Sequence, residues 1–171
     1  MTQKEQQYFL DLYRPVHPGF ERFCRARAYY DMPYEDLMNE TLLIAFKKMD
    51  QLKNKDAFLS FLIGISTRIL ANSKRKKKTV TMINEHTINN YADPNKQIEQ
   101  QFQVEFLHHA LAQLPELQRE ALILFEITGF SIKEISELQN SGISAVKQRL
   151  SRGRVALASI VEKEQMIKSD Q

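Results

Sequence analysis

Arginine and lysine are the residues whose spacing in this chain most directly suggests a chemistry. Lys147, Arg149, Arg152 and Arg154 fall within eight residues, and no Asp or Glu occurs from Leu138 to Val161. A second cluster, Arg68 with Lys74, Arg75, Lys76, Lys77 and Lys78, lies in the stretch from Ala57 to Asn84, which is also free of acids. Cations massed without counter-charges suit a phosphate polyanion, whereas merely solvated helix faces usually mix both signs. The formal net charge of the 171 residues is only +3. The distribution carries the argument: two basic patches on a near-neutral chain point to two contacts with one nucleic acid.

Other chemistries lack their residues. The chain has no glycine-rich phosphate loop, no Gly-x-Ser-x-Gly and no carboxylate pair with a defined partner, so no enzyme is expected. Cys24 is the sole cysteine; it excludes an internal disulfide and, flanked by Phe20 and Phe23, is expected in an apolar interior. His17, His86, His108 and His109 show no metal-ligand spacing, and no metal or other cofactor is expected. Taken alone, Glu35, Asp36 and Glu40 read as helix-start electrostatics and solvation. No apolar run approaches the roughly 18 residues of a membrane span, and Met1-Thr2-Gln3-Lys4-Glu5 has no signal-peptide character. A soluble cytoplasmic protein is the expectation.

The basic clusters need elements to carry them. Few glycines and prolines, five of each, and apolar residues recurring near every 3.6 positions predict an all-α fold. Phe20, Phe23, Cys24, Arg27 and Ala28 give one amphipathic stripe, closed before Asp31-Met32-Pro33. A second helix starts near Pro33 with an apolar face of Leu37, Thr41, Ile44, Ala45 and Met49. A third runs from about Asp56 to Lys77, turning Phe58, Phe61, Leu62, Ile65, Ile69 and Leu70 inward and ending in the first basic cluster. Residues 79–103 turn polar, with Asp93-Pro94 as a breaker, and read as a linker with a helix starting near Pro94. Then Phe106, Leu107, Ala110 and Leu111 form a stripe, and Leu117, Ala121, Leu122, Leu124 and Phe125 pack a helix that stops around Thr128-Gly129. Two small helical domains follow, 1–78 and 104–165, with a tail at 166–171.

The sharpest local signal lies in the second domain. Ser131-Ile132-Lys133-Glu134 is a capping box, and the short helix that it opens should bury Ile132, Ile135 and Leu138. Gln139-Asn140-Ser141-Gly142 is a polar turn, in which Asn140 and Gly142 tolerate positive φ. A last helix, from Ile143 to about Lys163, should place Ile143, Val146, Leu150 and Val155 in the core. Helix, short turn and basic helix make a helix-turn-helix pattern. In that motif the second helix enters the major groove, so Ser144, Lys147, Gln148, Ser151 and Arg152 are the candidate base readers, while Arg149 and Arg154 suit phosphates. On the first patch Arg68 and Asn72 share a face that Arg75 extends, and the run Lys74 to Lys78, Lys76 within it, would follow a phosphate backbone; Phe58 and Phe61 are expected in the core.

At these residues a resemblance appears. Tyr34 to Phe46, Tyr-Glu-Asp-Leu-Met-Asn-Glu-Thr-Leu-Leu-Ile-Ala-Phe, resembles the polymerase-binding helix of extracytoplasmic-function sigma factors, in the sigma-70 family. Ala57 to Lys78 is similar to the promoter-melting, −10-reading helix that follows it in that family. Ala110 to Leu122 is similar to the opening of the family's second conserved domain, and Ser131 to Leu157 to its −35-reading helix-turn-helix. The resemblance implies that Asp36, Asn39 and Glu40 contact core RNA polymerase. It implies further that Arg68 and Asn72 lie where the −10 element is read, and Lys147, Gln148, Ser151 and Arg152 where the −35 element is read. It also implies an anti-sigma factor as a partner. Departures from the family pattern are Phe61 for a usual tryptophan, Arg68 for asparagine, Asn39 for glutamine, and Asn140-Ser141-Gly142 for a Gly-Val-Pro turn.

Promoter elements about 25 base pairs apart lie roughly 85 Å apart along the duplex. A linker of about 25 residues reaches at most about 80–90 Å and averages about 25–30 Å when flexible. Polymerase, not the linker, is therefore expected to set the domain separation, and the isolated chain to bind duplex weakly. The rival reading is a dimeric helix-turn-helix repressor or activator without polymerase; against it stand the first basic patch and the acidic helix before it. A nucleic-acid-processing enzyme would need metal-binding carboxylates or a nucleophile, and neither is arranged in the sequence.

Overall fold

The computed structural model describes residues 2–79 and 98–171. The described residues form two compact units, one from each stretch, and both are built from helices. Most of the expected linker, residues 80–97, lies outside the described residues. Its last six residues, 98–103, belong to a helix.

In the first unit α1 (Gln3–Arg27), α2 (Tyr34–Lys47) and α3 (Phe58–Thr79) pack on one another. α1 starts far earlier than its Phe20–Ala28 stripe suggests. Thr2 and Glu5 form a capping box, with the Glu5 amide donating to Thr2 Oγ1 at 3.3 Å and the Thr2 amide to Glu5 Oε2 at 2.9 Å. Pro15 and Pro18 lie inside the helix, each removing an amide donor. The extension is held by tertiary packing: the ring of buried Phe9 lies edge-on to Phe46 and Phe58, with centroids 5.3 and 5.6 Å apart.

Cys24 is fully buried as expected, and burial pushes its thiol pKa up, partly countered by a hydrogen bond with Ser66. Beside it, Thr41 Oγ1 and Ser66 Oγ are 3.0 Å apart, and Ser66 Oγ donates to the Leu62 carbonyl at 2.9 Å. This polar pair joins α2 to α3 inside the core, with both hydroxyls partnered. The predicted inward faces of α2 and α3 are largely as read; Phe58 is buried and Phe61, stacked on it, is half-buried. Two 3₁₀ turns, Met49–Gln51 and Lys55–Ala57, connect these helices.

The second unit holds α4 (Ile98–Ala112), α5 (Glu116–Leu122), α6 (Ile132–Leu138) and α7 (Ile143–Ser169). α5 runs on into a π-helical turn, Ile123–Ile127, where the Thr128 amide reaches back to the Ile123 carbonyl at 3.0 Å. The chain then leaves the helix at Gly129, with φ of 78°. The Ser131–Glu134 capping box is formed, with bonds of 2.7 and 3.2 Å. Asn140 takes a left-handed φ of 49°, whereas Gly142 caps α7 at an ordinary φ of −69°.

Core assignments in this unit need correction. Val146 and Leu150 are buried, but Ile143 is 49% exposed and Val155 72% exposed. Ile143 is the first residue of α7 and lies in the end turn. Val155 is nine residues past Val146, which at about 100° per residue is the opposite face of the helix. The buried position is Gly153, packed on Leu122. Leu117, expected to pack α5, is 47% exposed in its first turn, and Leu107 is also exposed. α7 continues through most of the expected tail. Near its end Glu164 accepts from Gln113 Nε2 at 2.9 Å and lies 3.3 Å from His109 Nε2, tying α7 to α4.

Candidate nucleic-acid interface

The outer face of α7 begins at Ser144. Ser144, Lys147, Gln148, Ser151 and Arg152 are all exposed, at offsets of 0, 3, 4, 7 and 8 that align them on one side of a helix. Val146 and Leu150 on the other side hold α7 against α5 and α6. The exposed row offers hydroxyl, ammonium, amide and guanidinium groups suited to base edges and phosphates in a major groove.

The two arginines expected on phosphates have partners within the unit. Arg154 forms a two-pronged contact with Glu126, Nη2 at 2.8 Å and Nε at 3.2 Å, and its guanidinium lies 5.4 Å from the Phe125 ring centre. Arg149 is half-buried, and its Nη1 donates to Gln139 Oε1 at 2.8 Å and Ser141 Oγ at 2.9 Å. Neither pairing was visible to a sequence reading of local charge: Glu126 lies 28 positions from Arg154, and Gln139 and Ser141 are uncharged.

On α3, Arg68, Asn72, Arg75 and Lys76 are exposed at offsets of 0, 4, 7 and 8, with Ile63, Ser66 and Leu70 buried on the opposite side. The lysine run divides. Lys74 lies 3.9 Å from the Asp31 carboxylate, and Lys77 Nζ donates to the Asp31 carbonyl. Asp31 also receives Arg27 Nη1 at 3.0 Å, a guanidinium only 1% exposed. Asp31 thus gathers three basic side chains at the α1–α2 turn, and two lysines of the run turn back onto their own unit. In that turn Tyr30 holds a φ of 68°, unusual for a bulky residue.

α2 presents Asp36, Asn39 and Glu40 on its exposed side, opposite buried Leu37, Met38 and Thr41. Leu43, 54% exposed, continues the same row. Leu43 lies off the predicted apolar face of α2, seven positions after Asp36, and is not among the residues that the charge pattern singles out. Acids beside an exposed apolar residue suit a protein surface that supplies cations around an apolar pocket.

Two family models match the chain, Sigma-70 region 2 over residues 12–80 and Sigma-70, region 4 over residues 107–157. The ECF RNA polymerase sigma factor EcfG of Rhodopseudomonas palustris is 30% identical over 130 residues, covering 74% of this chain and 70% of that protein. RNA polymerase sigma factor SigV of Bacillus subtilis is 26% identical, covering 68% of this chain and 69% of its own. ECF sigma factor SigM of Mycobacterium tuberculosis is 24% identical over 90% of this chain and 76% of its own. Among solved structures, the sigma factor RpoE of Bartonella quintana, in complex with the anti-sigma factor NepR, superposes with a TM-score of 0.69. It is 22% identical and covers 90% of this chain and 98% of that one. CnrH, in complex with the cytosolic domain of CnrY, gives a TM-score of 0.68 at 18% identity over 92% and 90% of the two chains. At those identities the two structures speak for the fold.

Proposed function

The chain belongs to the extracytoplasmic-function class of the sigma-70 family, and from that membership we propose how its exposed faces divide the work of promoter-specific transcription initiation. The row on α7 is the observation that carries the reading. Ser144, Lys147, Gln148, Ser151 and Arg152 stand exposed on a helix locked from behind by Val146 and Leu150. This face reads the −35 duplex: Lys147 and Arg152 suit guanine O6 and N7, Gln148 suits adenine N6 and N7, and the serines suit either base edges or phosphate. Arg68, Asn72, Arg75 and Lys76 on α3 take the −10 element and follow its backbone. Asp36, Asn39 and Glu40, with Leu43, dock on core RNA polymerase.

The first domain, 1–78, combines polymerase docking with −10 capture; 79–103 links it to the second, 104–165, which anchors on −35 DNA; 166–171 is a tail. Phosphodiester chemistry belongs to polymerase, and the chain itself works in the cytoplasm without catalysis. No helix among the described residues is long and apolar enough to cross a membrane. An anti-sigma factor holds the chain from polymerase until a signal arrives; the sigma factor RpoE, similar in fold, is found in complex with the anti-sigma factor NepR.

Charge reversal on α2 tests the docking face. Asp36→Lys with Glu40→Lys should abolish co-migration with core polymerase in gel filtration while leaving helicity by circular dichroism unchanged, because both side chains are exposed. Undiminished co-migration would remove α2 from the polymerase interface.

A further inference from the structure

We infer that Arg149 is a positioning residue for −35 readout: it locks the helix-turn-helix turn and so sets how α7 presents Lys147 and Gln148, and it is not a phosphate ligand. The inference rests on the reading of α7 given above.

The geometry is that of a brace. Gln139 caps the end of α6, and its side chain points both ways. Its Nε2 donates to the Leu117 carbonyl on α5 at 3.1 Å and lies 3.4 Å from Glu120 Oε1, while its Oε1 accepts from Arg149 on α7. Ser141 Oγ accepts from the same Arg149 nitrogen and donates to the Gln139 carbonyl at 3.1 Å. The Ser141 amide closes on the Ser136 carbonyl at 2.9 Å. Between the two bonded residues Asn140 holds its left-handed conformation. One guanidinium therefore spans both sides of the turn and connects α5, α6 and α7 through a single glutamine.

A polar brace is what this turn requires. Ser141 has no apolar side chain to seat in the core, so the turn from Gln139 to Gly142 has no hydrophobic anchor of its own. A part-buried charge-assisted hydrogen bond is roughly twice as strong as a neutral one, and Arg149 supplies two from one nitrogen. A guanidinium held this way gives direction to its neighbours: Lys147 and Gln148 immediately precede Arg149 on α7, so a shift in the turn swings both across the base edges. Small displacements of a reading helix reduce discrimination before they reduce general attraction to DNA, which is electrostatic and independent of sequence.

Holoenzyme assembled from the full chain and core polymerase provides the test, on a promoter recovered by run-off transcription and on a copy with its −35 element scrambled. Arg149→Ala and Gln139→Ala should each lower the affinity ratio of intact to scrambled promoter about tenfold. The double variant should be no worse than Arg149→Ala alone, and the slope of log affinity against log salt should stay at the wild-type value. The inference is overturned if Gln139→Ala behaves as wild type while Arg149→Ala weakens both promoters alike and flattens the slope by about 1, the mark of a lost phosphate contact. Ser141→Ala removes an acceptor and no charge; if Arg149→Ala fails to fold by thermal melting, reduced selectivity in Ser141→Ala supports the brace and wild-type selectivity overturns it. Lys147→Ala separates the two levels: an unchanged ratio there defeats the assignment of α7 as the −35 reader, and the inference with it.

Discussion

Exposed cations in this chain differ in what they are free to do, and the difference lies in partners far away in sequence. Lys147 and Arg152 project from the solvent face of α7, whereas Arg149 is bonded to Gln139 and Ser141, Arg154 to Glu126, and Lys74 and Lys77 approach Asp31. Counting basic residues along the sequence finds both patches and overstates the number that reach outward. Two substitutions separate the kinds of contact that remain. Lys147→Ala should cost about 1–3 kcal/mol at a matched promoter and relax selectivity at one base pair. Lys76→Ala should weaken all promoters alike and lower the salt slope by about 1. Equal losses on matched and mismatched promoters for Lys147→Ala, measured by filter binding of holoenzyme across a salt series, would place Lys147 on the phosphate backbone and so defeat the assignment of α7 as the −35 reader.

At the scale of elements, the packing of α5 against α7 decides whether the reading face is held still. Gly153 is the point of closest approach: a Cβ built there would lie 2.9 Å from Leu122 Cδ1 and 3.2 Å from its Cγ. Gly153→Ala gains up to about 1 kcal/mol of helix propensity and meets about 1–3 kcal/mol of overpacking, since Leu122 is itself buried. The net expectation is a loss near 1 kcal/mol, seen as a thermal midpoint roughly 4–8 °C lower for a unit of this size. A raised midpoint would show that Leu122 yields freely.

That glycine also shows where sequence reading stopped. The capping box, the stop at Gly129 and the positive φ of Asn140 were legible because each depends on residues within a few positions of one another. Gly153 carries no hydrophobic signal, so Val155 was assigned to the core in its place, although nine residues from Val146 is the wrong side of a helix. Only the second half of α1 carries the legible Phe20–Ala28 stripe, while the rings of Phe46 and Phe58 that stabilise its first half come from other helices. The π turn after α5 left no local signature that periodicity could detect. The face of each site helix was legible from its own period; the brace at Arg149, built from three helices and a turn, was not.

At the scale of the whole molecule, polymerase is the ruler between two DNA-binding units. A second linker's worth of Gly and Ser inserted within 79–103 should cost only about 0.6 kcal/mol of closure entropy, or about threefold in promoter occupancy by holoenzyme. Loss of transcription at native promoter spacing would instead make the linker itself the ruler. For the same reason the isolated chain should bind promoter duplex weakly, since neither unit alone makes a large interface. The most direct measurement is run-off transcription by core RNA polymerase, with and without this chain, on promoter fragments from its own genome. Transcripts that depend on the chain, share upstream −35 and −10 elements and vanish with the Asp36→Lys/Glu40→Lys variant are the predicted result. Absence of such transcripts, together with tight binding of a palindromic duplex by a dimer of the chain alone, would contradict the account and restore the repressor reading.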